Sequence, residues 1–340
     1  MSPQEYMPIY LEHLYLTEHP ELTDMARELL REQVLASPER YATTPPARAV
    51  VAYAQAHAEL SEGLFHTEGL PDGDFEQVRT EIFDRARAQM GDVLALDPHN
   101  VDAALLSIQL SEVPLEGCLG NMMQLERETR GRLAMLYPEF DPDSAGLLAP
   151  GVAHRDEERT AMAADPQVIG WLHVNEALAQ GCIFTARYRA AAAFARTVMR
   201  AEIYPSYAVG TLLIALARLE DEDAFFEAAR EAGEEVEEIP WYLLGRTVLL
   251  YKLGQRRNAR RALRDFVSRC DGGAFFLLNP TFHDPYLPVR PQAREAWDLT
   301  HQAVWEADGI LADTPDFPAW AEGVPGVREA SDSFAVQHGL

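Results

Sequence analysis

The chain has 340 residues, of which 47% are hydrophobic and 24% are charged, proportions that are ordinary for a folded globular protein. Its 54 acidic residues outnumber its 29 basic residues, so the formal net charge is −25. A field of this sign repels phosphate backbones and anionic lipid surfaces. It therefore argues against nucleic acid and membranes as partners and favours a protein or peptide, in particular a basic one.

The N-terminal residues MSPQEYMPIYLEH have neither the basic segment nor the apolar segment of a signal peptide. The longest strongly apolar uncharged run, Ile203 to Ala217, is short for a membrane span and contains Pro205. Cys118, Cys182 and Cys270 are far apart and form no CxxC pair, so buried free thiols are expected instead of a disulfide framework or a zinc site. We therefore expect a cytoplasmic protein.

Apolar residues recur at helical spacing in segments of about 12–20 residues, and the alternation typical of strands is nearly absent. The clearest segment, Asp74 to Leu96, ends at Asp97-Pro98-His99-Asn100, and a new helix starts at Val101. Because proline is excluded from helix interiors but favoured at helix starts, this junction predicts a sharp turn between antiparallel neighbours. The apolar stripe of the first helix comprises Ile82, Ala86, Met90, Val93 and Leu94.

Similar helices separated by Pro, Gly and acidic turns are predicted further along the chain. They span Arg187–Ala201, Tyr207–Leu219, Asp223–Ala232, Trp241–Leu253 and Arg256–Cys270.

Three stretches lack this periodicity. Pro138 to His154 is rich in Pro, Gly and Asp and predicts a seam between subdomains. Phe282 to Pro291 contains three prolines and predicts an extended loop, and Gly323 to Leu340 predicts a peripheral tail. The predicted organisation is an N-terminal helical region with one repeat-like unit (residues 1–137), a connecting loop (138–155), helical repeats (156–322) and a tail (323–340).

The helix–DPxN–helix junction resembles the tetratricopeptide repeat (TPR), whose second helix carries small and large apolar residues at fixed offsets before a closing proline. Counting back from Pro98, these offsets fall on Ala86, Met90 and Val93. Trp241, Leu244 and Gly245 match the W-x-x-L-G trio of a first helix, although Gly254 and Ala259 place that repeat two residues out of frame. The resemblance implies an all-α fold, a TPR-like right-handed α-solenoid of about six to eight degenerate helix pairs.

From Pro205 onward the order of motifs is more particular. A helix containing LLIALARL precedes an acidic turn, a Trp-containing helix followed by Gly, the helix ARRALRDF, an LLNP turn with PYLP after it, and a Trp-bearing helix ending in DTPDFPAW. This order is similar to the C-terminal part of bacterial TPR-like proteins related to the suppression-of-tumorigenicity-seven family. The resemblance covers roughly the last third of the chain and implies a helical-repeat protein without established chemistry.

Motifs for nucleotide, zinc-protease and serine-hydrolase chemistry (GxGxxG, GxxxxGK[ST], HExxH and GxSxG) are absent from the sequence. His57, Glu62 and His66 lie on one predicted helix, where Glu62 and His66 are four apart and His57 is nearly half a turn away. A metal needs a converging third ligand, so we interpret these residues as ordinary histidines and a glutamate. The sequence predicts no catalytic residue, no metal and no cofactor.

A basic run follows an acidic one. Glu220 to Glu238 is strongly acidic, whereas Lys252 to Arg269 holds seven bases against one acid, Asp265. Arginines on one helix face could bind an anion or a phosphopeptide through bidentate guanidinium groups. Alternatively, neighbouring helices of opposite charge neutralise each other, the interpretation that the sequence favours. The candidate anion site comprises Arg256, Arg257, Arg260 and Arg261.

By the TPR resemblance, the first helices of the pairs line a concave groove, and exposed polar residues on them contact the ligand. The candidates are His173, Asn175, Tyr207, Tyr242 and Arg246. The sequence thus predicts a non-catalytic binding or scaffold module for a protein or peptide. The alternatives are an enzyme or a small-ligand sensor with a pocket where the 138–155 loop meets the repeats.

Overall fold

The computed structural model describes residues 1–67, 70–111, 113–142, 157–201, 207–279 and 293–339. Within these ranges all regular structure is helical, so the prediction of an all-α chain is confirmed. The predicted extended loop from Phe282 to Pro291, and most of the predicted 138–155 seam, lie outside the described residues. The helices of the described ranges are all too short or too polar to cross a bilayer.

Contacts divide the chain into two compact units. Among the described residues, unit 1 comprises residues 1–175 with 200 and 201, and unit 2 comprises 176–199, 207–279 and 293–339. The division falls inside a helix, between Asn175 and Glu176. Unit 1 thus continues past the 138–155 segment, at which the sequence predicts a seam.

Unit 1 holds seven complete helices and the start of an eighth among its described residues, together with a 3-10 turn at Pro38–Arg40. They are α1 (Pro3–Glu18), α2 (Asp24–Ala36), α3 (Pro45–Phe65), α4 (Asp72–Leu96), α5 (Val101–Gln109), α6 (Leu115–Leu136), α7 (Glu157–Ala164) and α8 (Pro166–Phe184), of which the residues after Asn175 belong to unit 2.

Side-chain caps at the predicted turns start several of these helices. Asn100 Oδ1 accepts a hydrogen bond from Ala103 N at 2.9 Å, which satisfies one of the free amides at the start of α5. Thr44 caps α3 in the same way through Ala47 N at 3.3 Å. The predicted turn at residues 97–100 therefore forms where the sequence places it, and α4 and α5 pack against each other.

One hydrophobic core of unit 1 lies along the predicted stripe of α4. Ala86, Met90 and Val93 are buried and pack with residues of α3 and α5, among them Tyr53 and Leu106. This packing removes a continuous apolar face from water, which is the main source of stability for such helices.

Unit 2 holds the remainder of α8 and ten further helices among its described residues, with a 3-10 segment at Glu234–Glu238. They are α9 (Tyr188–Met199), α10 (Ala208–Leu219), α11 (Glu222–Ala232), α12 (Pro240–Lys252), α13 (Arg256–Arg269), α14 (Gly273–Leu278), α15 (Asp298–Glu306), α16 (Asp308–Ala312), α17 (Asp316–Glu322) and α18 (Val327–His338).

The last helix differs from the sequence prediction, which expects a peripheral tail over residues 323–340. Instead α18 packs against α14, and Phe334 is only 6% exposed. Its ring lies 5.3 Å from that of Phe275 and 5.6 Å from that of Phe276. The buried contact between these aromatic rings stabilises the segment as a helix. Its polar composition does not predict such a contact.

Candidate functional site

A buried carboxylate lies at the start of α5. Asp102 is the second residue of the helix and is 3% exposed. The hydroxyl of Tyr6 donates a hydrogen bond to its Oδ2 at 2.6 Å, and His173 Nδ1 lies 2.7 Å from its Oδ1. Burial raises the pKa of Asp102, but His173 and the Tyr6 hydroxyl outweigh that effect and hold the pKa below its ordinary value. The carboxylate is therefore ionised at neutral pH.

His173 is held between two acceptors. Its Nδ1 faces the Asp102 carboxylate, and its Nε2 lies 2.9 Å from the backbone oxygen of Met1. A backbone oxygen and an ionised carboxylate only accept hydrogen bonds, so both ring nitrogens are satisfied together when the imidazole carries two protons. The geometry thus describes a buried ion pair between an imidazolium and a carboxylate.

His57 and Tyr53 of α3 complete the surroundings of Asp102. Burial lowers the pKa of His57 to about 4, although Asp102 acts in the opposite direction. The pKa of Tyr53 is raised well above its ordinary value by burial and by the charge of Asp102. At neutral pH both groups are uncharged.

A small cavity of about 40 Å³ borders this cluster and is lined in part by Tyr10, Asp97, Asp102 and Asp165. Tyr137 donates to Asp165 Oδ2 at 2.7 Å, and burial nevertheless raises the pKa of Asp165. A polar space of this size suits a few ordered water molecules and is too small for an organic substrate.

An aspartate that orients a histidine is the arrangement found in many general-base sites. Here the second nitrogen of His173 lies against the Met1 carbonyl, and the adjoining cavity has a volume of only about 40 Å³. The pair lacks both a free basic nitrogen and room for a substrate. It connects the start of α1 with α5 and α8, so its evident role is structural.

The three residues His57, Glu62 and His66 do not come together. His66 Nε2 lies 3.0 Å from Glu62 Oε1, and both side chains are exposed, whereas the half-buried ring of His57 lies beside that of Tyr53. Within the described part of the chain, no group of three or more His, Cys, Asp or Glu side chains is arranged to hold a metal ion.

Two of the five groove candidates belong to unit 1. His173 makes the ion pair described above, and its side chain is 16% exposed. Asn175 is 2% exposed, and its Nδ2 donates to Trp171 O at 2.8 Å. The expectation that Asn175 is an exposed contact residue is therefore wrong, because its amide satisfies a carbonyl of its own helix.

The other three candidates belong to unit 2. Tyr207 is half-buried against Trp241, and Arg246 lies 3.8 Å from Asp265 with a partly exposed side chain. Tyr242 is only 4% exposed because its ring stacks on Phe225 at 5.7 Å, so it too is not the exposed contact that the sequence predicts.

A polar contact that sequence reasoning missed lies in the core of unit 2. Glu306 is 2% exposed and accepts hydrogen bonds from Trp241 Nε1 at 2.8 Å and from Gln180 Nε2 at 3.2 Å. Both donors are neutral, and they supply hydrogen bonds that a buried carboxyl group requires. It fixes the position of Trp241 at the start of α12.

The predicted anion-site arginines all lie on one exposed face of α13. Arg256, Arg257, Arg260 and Arg261 are exposed, whereas Ala259, Ala262, Leu263 and Phe266 form the buried face of the helix. The guanidinium of Arg256 lies 3.5 Å from the centre of the Tyr251 ring, a cation–π contact. Arg257, Arg260 and Arg261 form no ion pair with any other residue that the structure describes.

Two acidic groups near α13 are paired with basic residues other than the four candidates. Among the described ion pairs, Glu238 binds Arg269, and Glu220 lies 3.2 Å from Lys252. The mutual neutralisation favoured from the sequence therefore applies to the end of α13 and to Lys252, and not to the four arginines of the candidate site. The structure brings these four together as one basic face.

Comparison with protein-family models, with curated proteins and with solved structures gives no match to this chain.

Proposed function

We propose that the chain is a non-catalytic binding or scaffold module of the TPR type, which engages a protein or peptide in the cytoplasm. The observation that carries this proposal is a contact that repeats the TPR spacing. Tyr207 and Trp241 are 34 positions apart, they flank the starts of α10 and α12, and their rings lie 5.5 Å apart. A TPR is 34 residues long, so this spacing supports the proposal that Tyr207, which precedes α10, and Trp241, the second residue of α12, belong to consecutive repeats.

The order of helix contacts in unit 2 supports the same proposal. Helix α10 packs against α11 and also against α12, and α12 packs in turn against α13. In a TPR array each first helix contacts its own partner and the first helix of the next pair. This contact order supports the proposal that α10–α11 and α12–α13 are consecutive pairs of a right-handed α-solenoid.

Glycines at the close approaches between these helices are also typical of such arrays. A methyl group on Gly210 would lie 2.5 Å from Trp241 Cγ, and one on Gly245 would lie 3.2 Å from Phe225. Small residues let the backbones approach each other, and larger side chains at either place would collide with the next helix.

Affinity capture from the native cells tests this proposal. The tagged full-length chain should recover one protein reproducibly above a tag-only control, and the purified partner should bind it stoichiometrically in calorimetry. Failure to recover a partner, together with consumption of a compound from a metabolite extract, would contradict the proposal.

A pair of variants tests whether the first helices carry the contact. Arg246→Ala alters a partly exposed residue of α12, and Arg130→Ala alters an arginine of unit 1 that pairs with Glu126 at 3.1 Å. We expect Arg246→Ala to weaken binding of the partner and Arg130→Ala to leave it unchanged. Equal binding by both variants would place the contact elsewhere on the chain.

A further inference from the structure

The arginine face of α13 extends over more than two turns. Successive arginines are four apart in two adjacent columns, and their side chains are exposed. Residues four apart lie on the same side of a helix, so the guanidinium groups form one continuous basic strip of about 12 Å. The strip consists of Arg256, Arg260 and Arg264 in one column and Arg257 and Arg261 in the other.

This placement is unfavourable for the helix itself. Arg256 and Arg257 occupy its first turn, where the positive end of the helix dipole repels cations. Like charges four apart repel each other as well, and the two columns contain three such pairs. Gln255, which precedes the helix, does not cap it, since its side-chain amide lies 3.2 Å from Glu222. Apart from the contact between Arg256 and Tyr251, the described residues give the arginines of this face no compensating partner.

Intramolecular pairing does not offset this cost. In the described ranges, Arg257, Arg260, Arg261 and Arg264 have no hydrogen-bonded or ionic partner. Their guanidinium groups are therefore available for bidentate bonds to carboxylates or phosphates. Arg256 is oriented at one end of the strip by its contact with Tyr251.

We infer that this strip, Arg256 to Arg264, binds a short acidic peptide segment of a partner protein. The inference rests on the proposed function, because it takes the ligand to be part of a protein. Carboxylates on an acidic segment accept the paired N–H groups of arginine and relieve the repulsion between the columns. The strip thus supplies the chemistry that recognises the partner.

The charge of the whole chain favours a short segment over a long polyanion. The formal net charge is −25, and the Debye length at physiological salt is about 8 Å. A nucleic acid that runs beyond the strip meets the acidic surface of the chain within that distance, whereas a few carboxylates remain over the arginines. The same argument disfavours an anionic membrane.

Fluorescence anisotropy with a labelled glutamate-rich peptide tests the inference on the full-length chain. The parent should bind this peptide more weakly as salt is raised, and should not bind the same peptide with glutamine in place of glutamate. Arg257→Gln with Arg261→Gln should weaken binding at least about tenfold, since a charge-assisted hydrogen bond contributes about 1.5–3 kcal/mol and 1.4 kcal/mol is a factor of ten.

The matched control is Arg85→Gln with Arg127→Gln, which removes two exposed arginines of unit 1 and changes the net charge equally. This variant should bind the peptide as the parent does. Thermal melts establish that each double variant is folded. The control should melt as the parent does, and Arg257→Gln with Arg261→Gln should melt at the parent's temperature or above it, because it relieves the repulsion within α13. Arg257→Lys with Arg261→Lys keeps the charge but loses the bidentate geometry, so its affinity should fall between parent and glutamine variant.

Several results would overturn the inference. The first is that the parent does not bind the glutamate peptide, and the second is that the control variant loses as much affinity for the peptide as the strip variant does. The third is tighter binding of single-stranded oligothymidine than of the peptide. The fourth is self-association of the parent in sedimentation that the glutamine variant of the strip abolishes. A native partner that binds the glutamine variant normally would also overturn it while leaving the proposed binding function intact. Binding of the glutamate peptide without recovery of any native partner would support the strip as an acidic-peptide site and would contradict the proposed binding function.

Discussion

Among single residues, His57 gives unit 1 its most definite pH response. Burial lowers its pKa to about 4, against 6.5 for an ordinary histidine. Between these two values the unfolded chain binds a proton that the folded chain does not bind, so the free energy of unfolding falls as the pH drops. The contribution is complete above pH 6.5 and is lost progressively toward pH 4.

Replacing His57 with Gln should remove this dependence. From pH 7 to pH 5 the parent should lose about 2 kcal/mol of stability through His57, whereas the variant lacks this loss. Urea unfolding of both proteins at the two pH values measures the difference. His99→Gln is the control, because His99 is exposed, and it should retain the pH dependence of the parent. Equal pH dependence in His57→Gln and parent would contradict the assignment.

The cluster around Asp102 was beyond prediction from local patterns. Tyr6 and His173 contact Asp102 from 96 and 71 positions away, and helical periodicity carries no information about contacts at such separations. The one local hint is an aspartate between Val101 and Ala103 in an otherwise apolar run. A charged residue there signals a buried polar contact without naming its partners.

At the scale of helices, local stop and start signals were sufficient for most boundaries. The segment predicted from Trp241 to Leu253 is α12, Pro240–Lys252, and the one predicted from Arg256 to Cys270 is α13, Arg256–Arg269. Glycine and proline act on the adjoining residues, so the sequence determines these ends directly. Helix α18 is different, because its buried residues Val327, Ser331 and Phe334 include a polar one, and its aromatic partners lie on the distant α14.

The approach of α10 to α12 gives a prediction at this scale. Gly210→Ala places a methyl group 2.5 Å from Trp241 Cγ, and Trp241 is itself bonded to Glu306. Either helix must shift, so we expect a loss of about 1–3 kcal/mol in the free energy of unfolding. Denaturant unfolding, followed by the circular dichroism of the helices, measures this loss.

Gly131→Ala provides the matched control for this substitution. Gly131 lies on the exposed side of α6, and a methyl group there has no neighbour within 4 Å. Alanine is the better helix former, so this variant should gain up to about 1 kcal/mol. A loss in Gly131→Ala, or no loss in Gly210→Ala, would contradict the close packing of α10 on α12.

For the whole chain, apolar periodicity predicted the helical class and composition gave the sign of the net charge, whereas the division into units comes from tertiary contacts. The sequence suggests a seam at 138–155 on composition alone, whereas contacts divide the chain inside α8. A division inside a helix cannot be predicted from proline or glycine content, because the residues before and after it keep helical periodicity.

From the net charge of −25 we predict that added salt stabilises this protein. Folding brings the excess carboxylates together, and screening reduces their repulsion as the Debye length falls from about 30 Å at 0.01 M to about 8 Å at 0.15 M salt. Salt also weakens surface ion pairs such as Arg31–Glu12 and Arg218–Asp313, but each contributes only about 0–1 kcal/mol. The excess of acids should dominate, so the melting temperature should rise over this range. Sodium chloride and choline chloride should act equally at matched ionic strength; a fall in melting temperature would mean that the ion pairs outweigh the repulsion.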